Sequence, residues 1–331
     1  MRRFAYERPA DTAGAVAAVA GSSPAAPAAF LAGGTNLVDL MKLGVEAPEL
    51  LVDITRLPLD RIERTDRGVR IGAGVRNSDL VADLVIRRQL PVLARAVLNG
   101  ASGQLRNMAT VGGNLLQRTR CLYFQDVTKP CNKRIPGSGC PALEGDHRNL
   151  AILGASPSCI ATHPSDMAVA LVALDAVVHL EEGGGQRAIP ITELYRLPGD
   201  EPHRDTTLPL GSLITAVEVP SLSFSSRSTY RKVRDRASYA FAVVSVAAAL
   251  DVQDGMVRDV RLALGAVAPV PWRAHRAEEN LRGQPATEGS FRLAAEAELA
   301  EARPLRDNGF KVPLMSNVIT RSLAELAGLG S

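Results

Sequence analysis

A chain of 331 residues, 46% hydrophobic and 22% charged, has the length for two or three domains with real cores. Its 38 Lys and Arg are mixed along the sequence with 35 Asp and Glu, leaving a net charge of +3 with no basic block, which excludes a nucleic-acid footprint. Behind the basic start Met1-Arg2-Arg3 there is no apolar run, and no stretch approaches about 18 apolar residues, so neither an export signal nor a membrane span is read.

Residues 1–55 read as a small α/β unit, with a helix over Thr12 to Val19, strands over Ala28 to Leu31 and Glu49 to Ile54, and an apolar helical run from Leu37 to Leu43. A strand over Gly68 to Val75 follows, then a helix capped by Ser78 and another from Pro91 to about Asn99. A glycine-rich turn, Thr110-Val111-Gly112-Gly113-Asn114-Leu115, precedes a stretch, 118–149, that is rich in Pro, Gly, Lys, Arg and Cys and has neither helical nor strand period. Regular patterning resumes with strands at Leu150 to Leu153 and Cys159 to Thr162 and a buried helix from Ser165 to Ala173. A hairpin of Ala176 to Glu181 with Gln186 to Ile189 turns at Gly183-Gly184-Gly185, and a strand runs over Ser212 to Val219. Past the serine-rich link Ser221 to Ser228, long strands around 240–253 and 256–267 join at Gln253-Asp254-Gly255, and helices begin near Arg273, Glu288 and Ser316.

Two glycine loops carry the chemistry of the first half. Gly33-Gly34-Thr35-Asn36 follows a strand and opens a helix, where backbone N–H groups can converge on a phosphate. The loop around Thr110, Gly113 and Asn114 combines small residues with amide donors in the same way. Neither is the G-x-G-x-x-G fingerprint or a Walker loop, so Rossmann dinucleotide binding and P-loop chemistry are disfavoured; a plain turn remains the alternative for each.

The four cysteines, Cys121, Cys131, Cys140 and Cys159, all fall within residues 121–159, too tight a cluster for accident. Their spacing, C-x9-C-x8-C-x18-C, lacks the C-x2-C knuckle of structural zinc. Four thiolates suit zinc or an iron–sulfur centre, while two disulfides or free buried thiols are the alternatives. A segment without an apolar period needs cross-links other than a hydrophobic core. His147 and His163 are the histidines nearby, and no Ser/His/Asp triad or H-E-x-x-H motif is present, which places substrate chemistry elsewhere.

Ala32-Gly33-Gly34-Thr35-Asn36-Leu37, Thr110-Val111-Gly112-Gly113-Asn114 and His163-Pro164-Ser165-Asp166, in that order, resemble the FAD-binding subunit of the xanthine dehydrogenase and carbon monoxide dehydrogenase family. The resemblance extends to Gly265-Ala266-Val267-Ala268-Pro269 and so spans nearly the whole chain. It implies an α+β fold: a p-cresol-methylhydroxylase-type FAD domain over 1–222, with subdomains of about 1–55 and 56–222 and an insertion at 118–160, then a C-terminal antiparallel sheet with helices over 225–331. It implies that Gly33, Gly34, Thr35, Asn36, Thr110, Gly113 and Asn114 hold the FAD pyrophosphate, that Asp166 accepts from the cofactor's sugar hydroxyls, and that Lys232 lies near the flavin, with Tyr239 as a further neighbour.

The cysteine segment resembles the insertion that holds a [4Fe-4S] cluster in flavin subunits of periplasmic aldehyde oxidoreductases and hydroxybenzoyl-CoA reductases, with Arg118, Arg120, Lys129, Lys133 and Arg134 as cations beside it. The implied partners are a small [2Fe-2S] subunit, a large molybdopterin subunit and an external electron acceptor. A hydroxybenzoyl-CoA reductase-like subunit and a stand-alone flavin oxidase are the competing readings. The expected location is cytoplasmic by the chain's own sequence, or periplasmic through co-export with a signal-bearing partner.

Overall fold

In the computed structural model, which describes residues 1–23 and 26–329, the first unit is a parallel sheet with two helices. Its elements are β1 (Ala5–Glu7), α1 (Thr12–Ala20), β2 (Ala28–Leu31), α2 (Leu37–Leu43) and β3 (Leu50–Asp53), with β3 in the centre. Asp11 starts α1 by accepting from the Gly14 N–H, and Gly44 ends α2 in the left-handed conformation that glycine adopts without a Cβ penalty. β1 escapes the sequence reading because its three residues are all exposed.

The second unit runs through β4 (Ile62–Thr65), β5 (Gly68–Gly72), α3 (Asn77–Ala82), α4 (Leu84–Gln89), α5 (Pro91–Asn99), α6 (Gly103–Arg106), α7 (Val111–Leu115), α8 (Leu122–Gln125), α9 (Asp166–Ala173), β6 (Val177–Glu182), β7 (Gly185–Pro190), α10 (Ile191–Leu194) and β8 (Leu213–Pro220). Its sheet is antiparallel in the order β4-β5-β8-β6-β7. Ser78 does not cap α3: its hydroxyl meets Asp79, and Asp83 divides the run by capping α4 through the Val85 and Ile86 N–H groups. The stretches Leu150–Leu153 and Cys159–Thr162 are not strands. Their backbone groups bond singly, Ala151 to Ile160 and both Ile152 and Leu153 to Val267, and no ladder forms.

The third unit is an antiparallel sheet, β12-β11-β10-β9, with α11 (His275–Leu281), α12 (Glu288–Leu299) and α13 (Lys311–Leu326). β10 (Val244–Gln253) and β11 (Met256–Gly265) are its centre, β9 (Ser228–Val233) and β12 (Trp272–Arg273) its edges. Strand alternation gives the sheet two buried faces. Val246, Ala248, Leu250, Leu262 and Leu264 pack in the core of α11 to α13, whereas Ala247, Ala263 and Tyr230 belong to the core that includes α5 and α9. Small residues on the second face let α9 sit close, and a Cβ on Gly265 would come within 2.8 Å of Val169. This contact locks the third unit onto the second and carries β9 to the edge of the glycine loops. No helix among the described residues is long and apolar enough to cross a membrane.

Candidate functional site: a two-part cleft beside a four-cysteine pocket

The two glycine loops press against each other. A Cβ on Gly33 would lie 1.8 Å from the Met108 carbonyl oxygen, so only glycine lets the first loop run over the chain entering the second. The second loop is not a plain turn: Thr110 caps the short helix α7, accepting from the Gly113 N–H, and α7 is fixed to β5 and the chain after it by Gly112 N–H to Ala73 and Val111 N–H to Val75. Gly113 is exposed toward the cleft, where an added Cβ would meet only the Thr110 hydroxyl, at 3.1 Å.

Two cavities meet at these loops. The first lies under Gly33 to Asn36 and Thr110 with apolar walls from Phe30, Leu40, Ile54 and Leu213. The second, the larger, continues past Asn114 to Asp166, Lys232 and Tyr239. Gly34, Thr35, Asn36 and Gly113 line both. Every glycine-loop residue singled out in the sequence therefore borders one continuous cleft, as do Asp166 and Lys232.

Two carboxamides in this cleft have polar atoms without protein partners. Asn36 spends its oxygen on the Arg118 N–H at 3.0 Å, which leaves its buried Nδ2 unbonded. Asn77, 2% exposed, has an unpaired Oδ1. A buried polar atom left unpaired costs about 1–3 kcal/mol, so an unpaired donor and an unpaired acceptor on two residues that line the same cleft fit a polar ligand beside them. Nothing in the sequence around Asn77 marks it. Asn114, by contrast, has its oxygen held by Ser165 at 2.6 Å and Gln117 at 3.0 Å, which turns the carboxamide into a tie between α7 and the start of α9.

Asp166 and Lys232 form a buried ion pair at 2.7 Å; the lysine side chain is 1% exposed and also donates to the Asn99 carbonyl. The other Asp166 oxygen accepts from Tyr230 at 2.6 Å. Burial, and then the Asp166 charge, pushes the Tyr230 phenol well above its ordinary range. Both carboxylate oxygens are thus engaged within the protein, and the pair presents one fixed polar wall. Tyr239, 56% exposed with a left-handed backbone, forms the outer rim with Phe241.

The four cysteines line a separate small cavity walled by Phe124, Ala142 and Ile160. All four are free thiols. Burial raises Cys121 to about 11 and pushes up Cys140 and Cys159, so these thiols are protonated until a metal displaces the protons. Among the described residues no three side chains converge tightly enough to hold a single metal ion. Sulfurs set around a cavity and not around a point fit a polynuclear centre better than one zinc. The loop itself is held by side chains gripping backbone: Arg134 donates to Tyr123, Phe124 and Lys129 carbonyls, and Asn132 bridges Ser158 and Gly139.

A thin wall separates pocket and cleft. Chain segments 113–121 and 159–166 both run from one to the other, tied by Thr119 Oγ1 to the Thr162 carbonyl at 2.9 Å and by the Ser165–Asn114 bond. His163 stands in this wall, edge-on to Tyr195 at 4.6 Å, and burial lowers its pKa to about 4. Lys133 and Arg118 both reach Asp205; burial alone would raise that carboxyl, but the two cations hold it below the usual range. Asp205 comes from a loop with no motif, and sequence reading has no signal for it.

Residues 2–222 match the family described as the FAD binding domain in molybdopterin dehydrogenase, and residues 228–326 the CO dehydrogenase flavoprotein C-terminal domain. The chain is 51% identical over 330 residues to the aldehyde oxidoreductase FAD-binding subunit PaoB of Escherichia coli (strain K12), covering 98% of each. It is 29% identical over 282 residues to the glyceraldehyde dehydrogenase medium chain of Sulfolobus acidocaldarius, covering 85% of this chain and 82% of the relative. The carbon monoxide dehydrogenase structure from Hydrogenophaga pseudoflava superposes with a TM-score of 0.76 at 25% identity, over 100% of this chain and 99% of that one. With both halves matched and a relative aligned end to end, this chain belongs to the family of FAD-binding subunits of molybdenum hydroxylases.

Proposed function

We propose that the chain is the electron-transfer subunit of a molybdenum-containing aldehyde oxidoreductase, holding FAD in the two-part cleft and a [4Fe-4S] cluster on Cys121, Cys131, Cys140 and Cys159. The observation that carries the flavin reading is the meeting of two cavities at Gly34, Thr35, Asn36 and Gly113. A pyrophosphate sits naturally at such a junction, bound by backbone N–H groups and the free Asn36 Nδ2. The apolar cavity of Phe30, Ile54 and Leu213 suits the adenosine, and the larger one, with Lys232 and Tyr239, suits the isoalloxazine. Lys232 then sets a fixed positive charge near the ring while Asp166 and Tyr230 hold that charge in place.

FAD, once bound, exchanges electrons singly with iron–sulfur centres and in pairs with an acceptor. The chain's own part is to bind, to fix charge and to keep the centres at a constant separation. The working partners are a small [2Fe-2S] subunit and a large molybdopterin subunit, where the aldehyde reacts, with an external acceptor receiving the electrons. The relatives' names support this assembly. The cluster reading rests on the donor set, four free thiols around one cavity.

Anaerobically purified full-length chain is expected to carry about four irons and four acid-labile sulfides, together with one FAD released by acid. One zinc per chain, or reducible disulfides without iron, would overturn the cluster reading; flavin that stays on the acid-precipitated protein would overturn noncovalent FAD.

A further inference from the structure

Asp205 belongs to neither the glycine loops nor the cysteine segment, yet it touches a cation from each side. Its loop is fixed by backbone bonds, Arg196 N–H to the Asp205 carbonyl at 3.0 Å and Thr207 N–H to Leu194 at 2.9 Å, with a bridge between Tyr195 and Thr206. One carboxylate oxygen takes the Lys133 ammonium, which also donates to the Pro202 carbonyl at 2.8 Å and whose side chain is 8% exposed on the wall of the cysteine pocket. The other takes Arg118 Nε at 2.9 Å.

Arg118 is the flavin-side half of the link. Its guanidinium reaches Glu46 at 2.6 Å and lies 4.7 Å over the ring of Phe124, a wall of the cysteine pocket. Its backbone N–H donates to Asn36 Oδ1 at 3.0 Å, and Asn36 is the glycine-loop residue lining the cleft whose buried Nδ2 has no protein partner. A chain of charge and hydrogen bonds thus runs from Lys133, whose charge acts on the Cys159 thiol, through Asp205 and Arg118 to Asn36.

We propose that Asp205 is a positioning residue that couples the two cofactor sites, so that filling the cysteine pocket tightens FAD binding and FAD tightens cluster binding. This rests on the assignment of a four-thiolate iron–sulfur centre to that pocket. Ordering the cysteine loop fixes Lys133 and hence Asp205; Asp205 fixes Arg118; Arg118 holds Asn36 in the orientation that offers its amide to the phosphates. Two partly buried cations, Lys133 and Arg118, share one carboxylate, and without it they repel and the link opens. Coupling of two binding events through shared groups is reciprocal by necessity.

The test measures FAD affinity by flavin fluorescence on the full-length chain, iron-loaded and iron-freed by chelation, in the wild type, Asp205→Asn and Arg118→Met. Asp205→Asn keeps the shape of the side chain and removes its charge; Arg118→Met breaks the link on the flavin side and leaves the Lys133–Asp205 pair intact. Wild type is expected to bind FAD roughly tenfold tighter when iron-loaded, within the range typical of such coupling. Both variants should keep iron and bind FAD with the two affinities within about twofold of each other. Iron-loaded variants that retain the wild-type ratio, or a wild-type ratio of one, overturn the coupling alone. Wild type that takes up no iron and sulfide overturns the four-thiolate centre and the coupling with it. A variant too unstable to purify is replaced by Lys133→Met, which opens the same link from the other end and must show the same loss of ratio.

Discussion

The flavin cleft and the cysteine pocket lie on two sides of one wall and are built by opposite means. The cleft is made of regular structure: β2 running into α2, β5 fixing α7, and α9 buried in the core it shares with α5. Its residues are in place because the backbone ladders and the apolar faces put them there. The pocket has two short helical turns and a set of arginine and asparagine side chains clasping carbonyls. Hydrophobic burial along strands and helices orders the first, whereas the second has only a small apolar cluster, Phe124, Ala142, Leu150 and Ile160 among the cysteines themselves, and relies further on what its thiols hold.

The largest expected effect comes from removing a thiol. Cys140→Ser should abolish iron binding and leave the stretch between 121 and 146 open to limited proteolysis, while the second and third units unfold as one cooperative body. A protease-resistant, iron-free loop would mean that the pocket is ordered like the cleft, and the contrast would disappear.

Next is the wall of the cleft. Lys232→Met leaves Asp166 with a buried charge and only the Tyr230 hydroxyl as partner, at a cost of about 3 kcal/mol, read in urea unfolding of the flavin-free protein. The same change should lower the flavin potential by deleting a fixed positive charge. Unfolding free energy within about 0.5 kcal/mol of wild type would show that the pair adds nothing to the contact between β9 and α9.

His163 makes the wall pH-sensitive in one direction. Its ring titrates near 6.5 unfolded and about 4 folded, so its contribution to stability is complete above 6.5 and fades as the pH falls toward 4. Between pH 7.5 and 5 wild type should lose about 2 kcal/mol more than His163→Gln. Parallel losses in the two proteins would place the imidazole in contact with water.

Gly33→Ala is the mildest change. The new Cβ forces the Met108 carbonyl away, a strain of about 1–3 kcal/mol, and should weaken FAD binding about tenfold with the iron content unchanged. Unchanged affinity would separate the two loops functionally.

The sequence makes the glycine loops and cysteines legible because each is a local signal: a loop pattern between a strand and a helix, and four rare residues in one short window. It hides what depends on remote partners. Leu150 to Leu153 has the apolar character of a strand, yet Val267 takes two of its N–H groups and no neighbour extends the pairing. β9 goes unread between the serine-rich link that ends at Ser228 and the strand read around 240, because its burial comes from α5, far away in the chain. Asn77 and Asp205 are ordinary polar residues until the fold leaves one unpartnered and sets the other between two cations. Ser78 looks like a cap, but the helix starts at Asn77 with Arg76 in the cap position, two residues too soon for the Ser78 hydroxyl to serve.

The bond between Thr119 and the Thr162 carbonyl marks where the cysteine segment leaves the domain and returns to it, at neighbouring points. A piece of chain whose ends meet behaves as a cassette. Its first part, 121–146, carries no strand and can change length without shifting the register of any ladder, while the return through Ile152 and Leu153 is anchored in the core of the third unit. The same geometry makes 121–146 a place to graft a different metal-binding loop while the anchor at 150–153 stays in place.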